Sequence, residues 1–195
     1  TPTTATTGVI TIETQTSGAA AIDSQNIGVD IIADDQVAVS ATVDPTITVA
    51  LSANSIVLGT LATTSVNQGG ITSTVTTNAL NGYNSSALYN NKLRIDVTND
   101  IDDTAGGTIA AGTEEFGASS SDSGNDIGIW SPTACSTTAS TSNATALTTT
   151  AQTFAAATAP VSAEATTFCL LASITGTTTA GAYTNTVTLV TTAKF

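Results

Sequence analysis

The sequence contains no histidine and few charged residues. Only 9% of its 195 residues are charged, against about a quarter in ordinary soluble domains. Histidine is the usual general base near neutral pH, and both Ser-His-Asp and Cys-His nucleophilic sites need it. Glu114 and Glu115 could supply the two carboxylates of a glycosidase, but adjacent residues of a strand point to opposite faces. We therefore expect no enzymatic activity.

Basic side chains are equally scarce. Lys92, Arg94 and Lys194 are the three cationic residues, and fifteen acidic residues bring the net charge to -12. Nucleic-acid binding relies on Lys and Arg to neutralise phosphates, and binding to anionic membranes relies on the same charges. The chain also lacks an apolar run of the roughly 20 residues that a membrane helix needs. The composition predicts a protein that neither binds nucleic acid nor inserts into a membrane.

The two cysteines, Cys135 and Cys169, predict a disulfide bond. Without histidine they cannot complete a Cys2His2 zinc site, and two thiolates alone make a poor metal site. An even number of cysteines is typical of disulfide pairing in an oxidising compartment. We therefore expect an extracellular, cell-surface location.

Alternating apolar and polar residues indicate strands along the chain. The alternation is clearest in Val37–Val43, Ile47–Leu51 and Leu93–Val97, the last with charged residues at the intervening positions. Turn-forming Gly and Asn residues separate these and weaker candidates. Many short strands with turns between them are typical of a β-sandwich. We predict an all-β, antiparallel sandwich, either Ig-like or jelly-roll-like. The weaker strand candidates are residues 29–33, 55–61, 71–77, 108–111, 127–130, 167–174 and 183–190.

Two segments are expected to differ from the sandwich. Residues 1–18 are rich in Thr and contain a short β-prone stretch, which predicts an extended N-terminal arm. Residues 119–153 are rich in Ser, Thr and Ala, with Trp130 and Cys135 as expected attachment points to the sheet. The sequence thus predicts an arm at 1–18 and a single sandwich domain at 19–195 with an excursion at about 119–153.

Acidic and amide side chains offer two kinds of candidate site. The densest acidic cluster could bind calcium through oxygen ligands, although it lacks the EF-hand spacing and a solvated acidic turn is the favoured interpretation. No other cofactor is expected. Asn84 and Asn143 begin Asn-x-Ser/Thr sequences, which are acceptors for N-glycosylation. The acidic cluster comprises Asp96, Asp100, Asp102 and Asp103.

Four segments, Val43–Val49, Gly59–Leu61, Gly70–Asn78 and Ala180–Val187, resemble secreted β-sandwich surface proteins and pilin-like filament subunits of microbes. In that group a segment of the form Ala-Gly-x-Tyr-x-Asp/Asn-x-Val often forms the last strand. The resemblance implies a surface-exposed sandwich that assembles with copies of itself. The N-terminal segment lacks the long hydrophobic helix of type IV pilins, so assembly must proceed in another way.

Donor-strand complementation is such a way, because an arm of one subunit then adds a strand to the next and builds an open-ended fibre. We expect Val9, Ile10 and Ile12 to form the donor strand, with Ile10 and Ile12 on one face. The resulting hypothesis is a subunit of an extracellular filament or pilus, a helical homopolymer. The alternatives are an S-layer or matrix protein, a surface adhesin or carbohydrate-binding domain that recognises host or surface glycans, and an ice-binding surface.

Overall fold

A computed structural model describes residues 6–31, 37–122, 127, 135 and 141–195. These residues form eleven strands and no helix, so the prediction of an all-β protein is confirmed. The strands are β1 (Thr6–Gln15), β2 (Ala21–Ile31), β3 (Ile47–Leu51), β4 (Asn67–Thr77), β5 (Tyr83–Tyr89), β6 (Thr108–Ala110), β7 (Glu115–Ser120), β8 (Thr141–Asn143), β9 (Gln152–Ala157), β10 (Val161–Ser173) and β11 (Val187–Ala193).

The chain divides into two compact units, Thr1–Val43 and Asp44–Phe195. In the first unit β1 pairs with β2 as an antiparallel hairpin, from Thr6 opposite Ile31 to Gln15 opposite Ala21. The predicted boundary at 18/19 therefore falls in the turn of this hairpin, and β1 is not a lone extended arm. Residues beyond the turn supply a second β-prone run, which gives β1 its partner.

The second unit is built from two packed antiparallel sheets, as expected for a β-sandwich. One has four strands in the order β3-β4-β10-β7, and the other has three in the order β11-β5-β9. A short pair, β6 and β8, stands beside them. Side chains from both inner faces form the main core, where the Phe154 and Phe168 rings lie 5.1 Å apart.

The C-terminal half of strand β10, from Phe168 to Ser173, is buried on both faces, which explains its continuous apolar run. Phe168 and Leu170 join the main core, whereas Cys169 and Leu171 point the other way into a second cluster with Cys135. The Cys135 and Cys169 Cα atoms are 5.7 Å apart and the side chains form a disulfide. The predicted disulfide is thus present and ties the excursion to the outer face of β10. Residues 123–126, 128–134 and 136–140 of the excursion, Trp130 among them, lie outside the described residues.

Two of the clearest strand predictions are wrong. Residues 37–43 form no strand, and Val37 and Val39 are 87% and 89% exposed. Residues 92–97 form bends around an isolated bridge residue, Arg94, with Leu93 buried and Val97 80% exposed. The predicted strand fails because the Asp96 carboxylate accepts hydrogen bonds from the backbone of the next residues and closes a local turn. Residues 55–61 are irregular as well.

Candidate assembly site

The β1–β2 hairpin carries an apolar face that nothing covers among the described residues of its unit. In the antiparallel register, Ile10 lies opposite Ile27, Ile12 opposite Gln25 and Gly8 opposite Val29. Directly opposed residues share a face, so four apolar side chains lie together on one face. Their exposed fractions are 55% for Ile10, 54% for Ile12, 46% for Ile27 and 38% for Val29. We call this set the hairpin apolar face.

The opposite face of the hairpin is mostly polar. There the Thr11 hydroxyl donates a hydrogen bond of 2.8 Å to the Asn26 side-chain carbonyl, and Glu13 lies opposite Ser24. Val9 is on this side, opposite Gly28. The register thus groups Ile10 and Ile12, as predicted, and separates them from Val9. An isolated two-stranded hairpin is at best marginally stable in water, so its apolar face requires a partner.

A compact turn positions the two strands of the hairpin. The Thr16 amide donates to the Ala20 carbonyl at 2.8 Å, and the Ala19 amide donates back to the Thr16 carbonyl at 2.9 Å. The Thr16 hydroxyl accepts a further bond from the Ala20 amide at 3.2 Å. Ala19 has a φ of 61°, a conformation that non-glycine residues rarely adopt. This turn fixes the register and therefore the grouping of the isoleucines.

The sandwich has its own uncovered apolar side chains, on strand β3. Val49 lies opposite Val75 of β4 and Leu51 lies opposite Ser73, so both side chains face the interior of the sandwich. Val75 and Ser73 are 1% and 2% exposed, yet Val49 and Leu51 are each 45% exposed. The inner face of β3 is therefore incompletely covered by the three-stranded sheet.

A groove separates β3 from β11, the edge strand of that smaller sheet. It has a volume of about 450 Å³ and is lined by apolar side chains of both sheets, among them Leu51, Leu170, Val187 and Leu189. At Ile56 and Leu170 it meets a second groove of about 780 Å³. We call the first of these the β3/β11 groove. No described strand occupies it.

The acidic cluster proposed for calcium is engaged in other contacts. Lys92 Nζ lies 2.6 Å from an Asp102 carboxylate oxygen and 3.6 Å from one of Asp100. The Tyr89 hydroxyl donates to Asp103 at 2.7 Å. Burial raises the pKa of Asp103, and burial together with this hydrogen bond raises the pKa of Tyr89 to about 12.

Asp96 has a separate role in the same region. Its Oδ1 accepts hydrogen bonds from the backbone amides of Thr98 and Asn99 at 2.8 and 2.9 Å. These bonds, with the Thr98 hydroxyl, lower its pKa to about 2. Within the described part of the chain, no group of three or more His, Cys, Asp or Glu side chains is arranged to hold a metal ion. Asp96 thus closes a turn, Asp100 and Asp102 pair with Lys92, and Asp103 accepts the Tyr89 hydroxyl.

The two glycosylation candidates differ in accessibility. Asn143 is exposed at the end of β8. Asn84 is half-buried in β5, the central strand of its sheet, and its amide donates to the Ser86 hydroxyl at 3.0 Å. Of the two, Asn143 is the one that a glycan could reach without displacing a neighbour.

No family model matches the chain. No curated protein matches it. Among the described residues, no helix has the length and apolar character needed to cross a membrane.

Proposed function

We propose that this protein is a structural subunit of an extracellular filament, in which the N-terminal hairpin of one copy docks on the sandwich of the next. The observation that carries the proposal is the hairpin apolar face, with Ile10 and Ile12 more than half exposed. Burying an isoleucine stabilises by about 1.5–3 kcal/mol, and backbone hydrogen bonds would add to that. The hairpin therefore gains more from docking than it can gain alone.

Three further features support assembly over catalysis or ligand binding. The chain lacks histidine, as noted above, and the acidic cluster is engaged in ion pairs and turns. Four of the eight aromatic side chains, Tyr83, Phe116, Phe154 and Phe168, are buried in the core, so these four cannot stack on a sugar ring. The disulfide between Cys135 and Cys169 suits an extracellular location. Head-to-tail docking of identical copies builds an open fibre when the rotation between neighbours does not close into a ring.

Negative-stain electron microscopy of hairpin variants tests this function. Ile10→Asp and Ile12→Asp place charges on the hairpin apolar face and should abolish filaments. Thr11→Asp is the matched control, because Thr11 lies on the opposite face of the same strand, and it should still polymerise. Val39→Asp tests whether the exposed segment 37–43 contributes instead.

The outcomes separate the competing functions. Filaments from both isoleucine variants would overturn the proposal. Filaments lost only with Val39→Asp would move the docking segment downstream of the hairpin and overturn the assignment to β1. Flat two-dimensional arrays of the wild-type protein would favour an S-layer, and a monomer at all concentrations would favour an adhesin.

A further inference from the structure

We infer that the acceptor for the hairpin is the β3/β11 groove of a second copy, where β1 pairs with the free edge of β11 and lays Ile10 and Ile12 over Val49 and Leu51. This inference rests on the proposed function, and it assigns the half of the interface that belongs to the sandwich. The occupant is a second copy of this chain.

The backbone of β11 has the geometry to accept a strand. Just outside its ends, the Asn90 amide donates to the Thr186 carbonyl at 3.0 Å and the Lys194 amide donates to the Gly82 carbonyl at 2.8 Å. Thr186 and Lys194 therefore bond toward β5, and both have even numbers. The register between β5 and β11 is regular from one end to the other. In an antiparallel ladder bonded and non-bonded pairs alternate. The odd-numbered residues therefore point their amides and carbonyls toward the free edge.

The same odd-numbered residues carry the inward side chains. Val187 and Leu189 are half-buried and pack against the main core, whereas Thr188 and Val190 are exposed. A strand added along this edge would thus find backbone partners and apolar neighbours in the same register. Among the described strands β11 is the last of its sheet on this side.

The number of strands in each sheet favours the free edge of β11 over that of β3 as the place where β1 docks. The four-stranded sheet faces a three-stranded one, and the side chains left uncovered are those of β3, Val49 and Leu51. A fourth strand beside β11 would lie over them. Residues two apart lie at nearly the same distance along any strand. The spacing of Ile10 and Ile12 therefore matches the spacing of Val49 and Leu51. Strand β2 would extend the sheet outward.

Charge favours this site over the rest of the surface. Two copies of a chain with a net charge of -12 repel each other. The segments Thr46–Leu61 and Tyr183–Ala193, which line much of the groove, contain no charged residue. The four members of the hairpin apolar face are uncharged too. These two surfaces are therefore places where copies can meet without bringing like charges together.

Complementation between two full-length variants tests the inference. Val49→Asp places a charge on the uncovered inner face of β3, two residues before Leu51 of the acceptor groove, and Ile10→Asp with Ile12→Asp removes the donor face. Each variant alone should stay monomeric, whereas their equimolar mixture should form a 1:1 dimer of about twice 19.3 kDa and stop there. Analytical ultracentrifugation measures the mass of each variant alone and of the mixture. Ala50→Asp, on the outer face of β3, is the matched control and should polymerise.

A second measurement avoids any substitution in the acceptor. Hydrogen exchange of the wild-type protein should slow by at least about tenfold at Val187, Leu189 and Thr191 on assembly, because these amides gain partners. The opposite edge strand of the sheet, β9, should not change.

Each unfavourable outcome has one interpretation. The acceptor assignment would be overturned by normal filaments from Val49→Asp when the isoleucine variant forms none. Slowed hydrogen exchange at β9 in place of β11 would overturn it too. Either result would leave the proposed function standing. Normal filaments from both variants would overturn the proposed function as well. If Val49→Asp does not fold, the exchange measurement on the wild-type protein decides alone.

Discussion

Val49 and Val75 lie directly opposite each other on β3 and β4 and face the same interior, yet Val49 is 45% exposed and Val75 is 1% exposed. The difference arises because the smaller sheet ends before it reaches β3. In the monomer, Val75→Ala should destabilise by about 2–4 kcal/mol, while Val49→Ala should cost under about 1 kcal/mol. Urea denaturation of the full chain, at concentrations where it is monomeric, measures both. Equal losses would mean that Val49 is already covered within one copy.

The disulfide lies directly against Gly70 of β4. A methyl group at this position would clash with Cys135 Sγ and would approach the Phe168 carbonyl oxygen to 2.9 Å. Gly70→Ala should therefore destabilise by about 1–3 kcal/mol through overpacking. Gly106→Ala is the control, since a methyl group there meets nothing within 4 Å. Denaturation under oxidising conditions that gave the same midpoint for both variants would contradict the close packing of the disulfide on β4.

The burial of Tyr83 should make the folded protein less stable in alkali. Burial raises its pKa to about 12 from 10.0, with the nearby charge of Glu164 adding to the effect. Between those values an unfolded tyrosine is ionised and the folded one is not. The contribution of Tyr83 to stability should therefore be constant below about pH 10 and fall by up to about 1.4 kcal/mol per pH unit toward pH 12. Tyr83→Phe should remove this part of the slope. An unchanged slope in that variant, measured by urea titrations at several pH values, would show that other groups cause it.

Calcium should leave the stability of the monomer unchanged. Lys92 already forms ion pairs with Asp100 and Asp102, and Asp103 accepts the Tyr89 hydroxyl. A ligand that binds only the folded state raises its stability in proportion to the logarithm of ligand concentration over Kd. Thermal unfolding with about millimolar calcium, typical for extracellular modules, and with a chelator should give the same midpoint. A rise of several degrees that Asp102→Asn abolishes would establish a calcium site.

The alternation of apolar residues predicted some strands well and missed others for a packing reason. Strand β3 matches its predicted bounds because Ile47, Val49 and Leu51 alternate cleanly after a proline-containing break. Strand β5 was not predicted, because its buried positions include Ser85 and Ala87. Such small inward residues leave room for large side chains from the facing sheet, and their sequence therefore carries little apolar signal.

The common face of Ile10 and Ile12 could be predicted from the sequence, and the uncovered inner face of β3 could not. Ile10 and Ile12 are close in sequence and their common face follows from strand periodicity. The hairpin partner Ile27 and the uncovered Val49 depend on which strands pair. That β3 borders β11 across a groove follows from contacts between residues far apart in the chain. The alternation of apolar residues shows which side chains share a face of a strand, but it does not show which strand lies at the edge of a sheet.

Cryo-electron microscopy of the assembled full-length protein tests the central claim most directly. The account predicts a helical filament in which β1 of each copy lies beside β11 of the next, with Ile10 and Ile12 buried between the two sheets. A filament in which the hairpin apolar face remains open to solvent, or in which β1 and β2 pack only against their own sandwich, would contradict it.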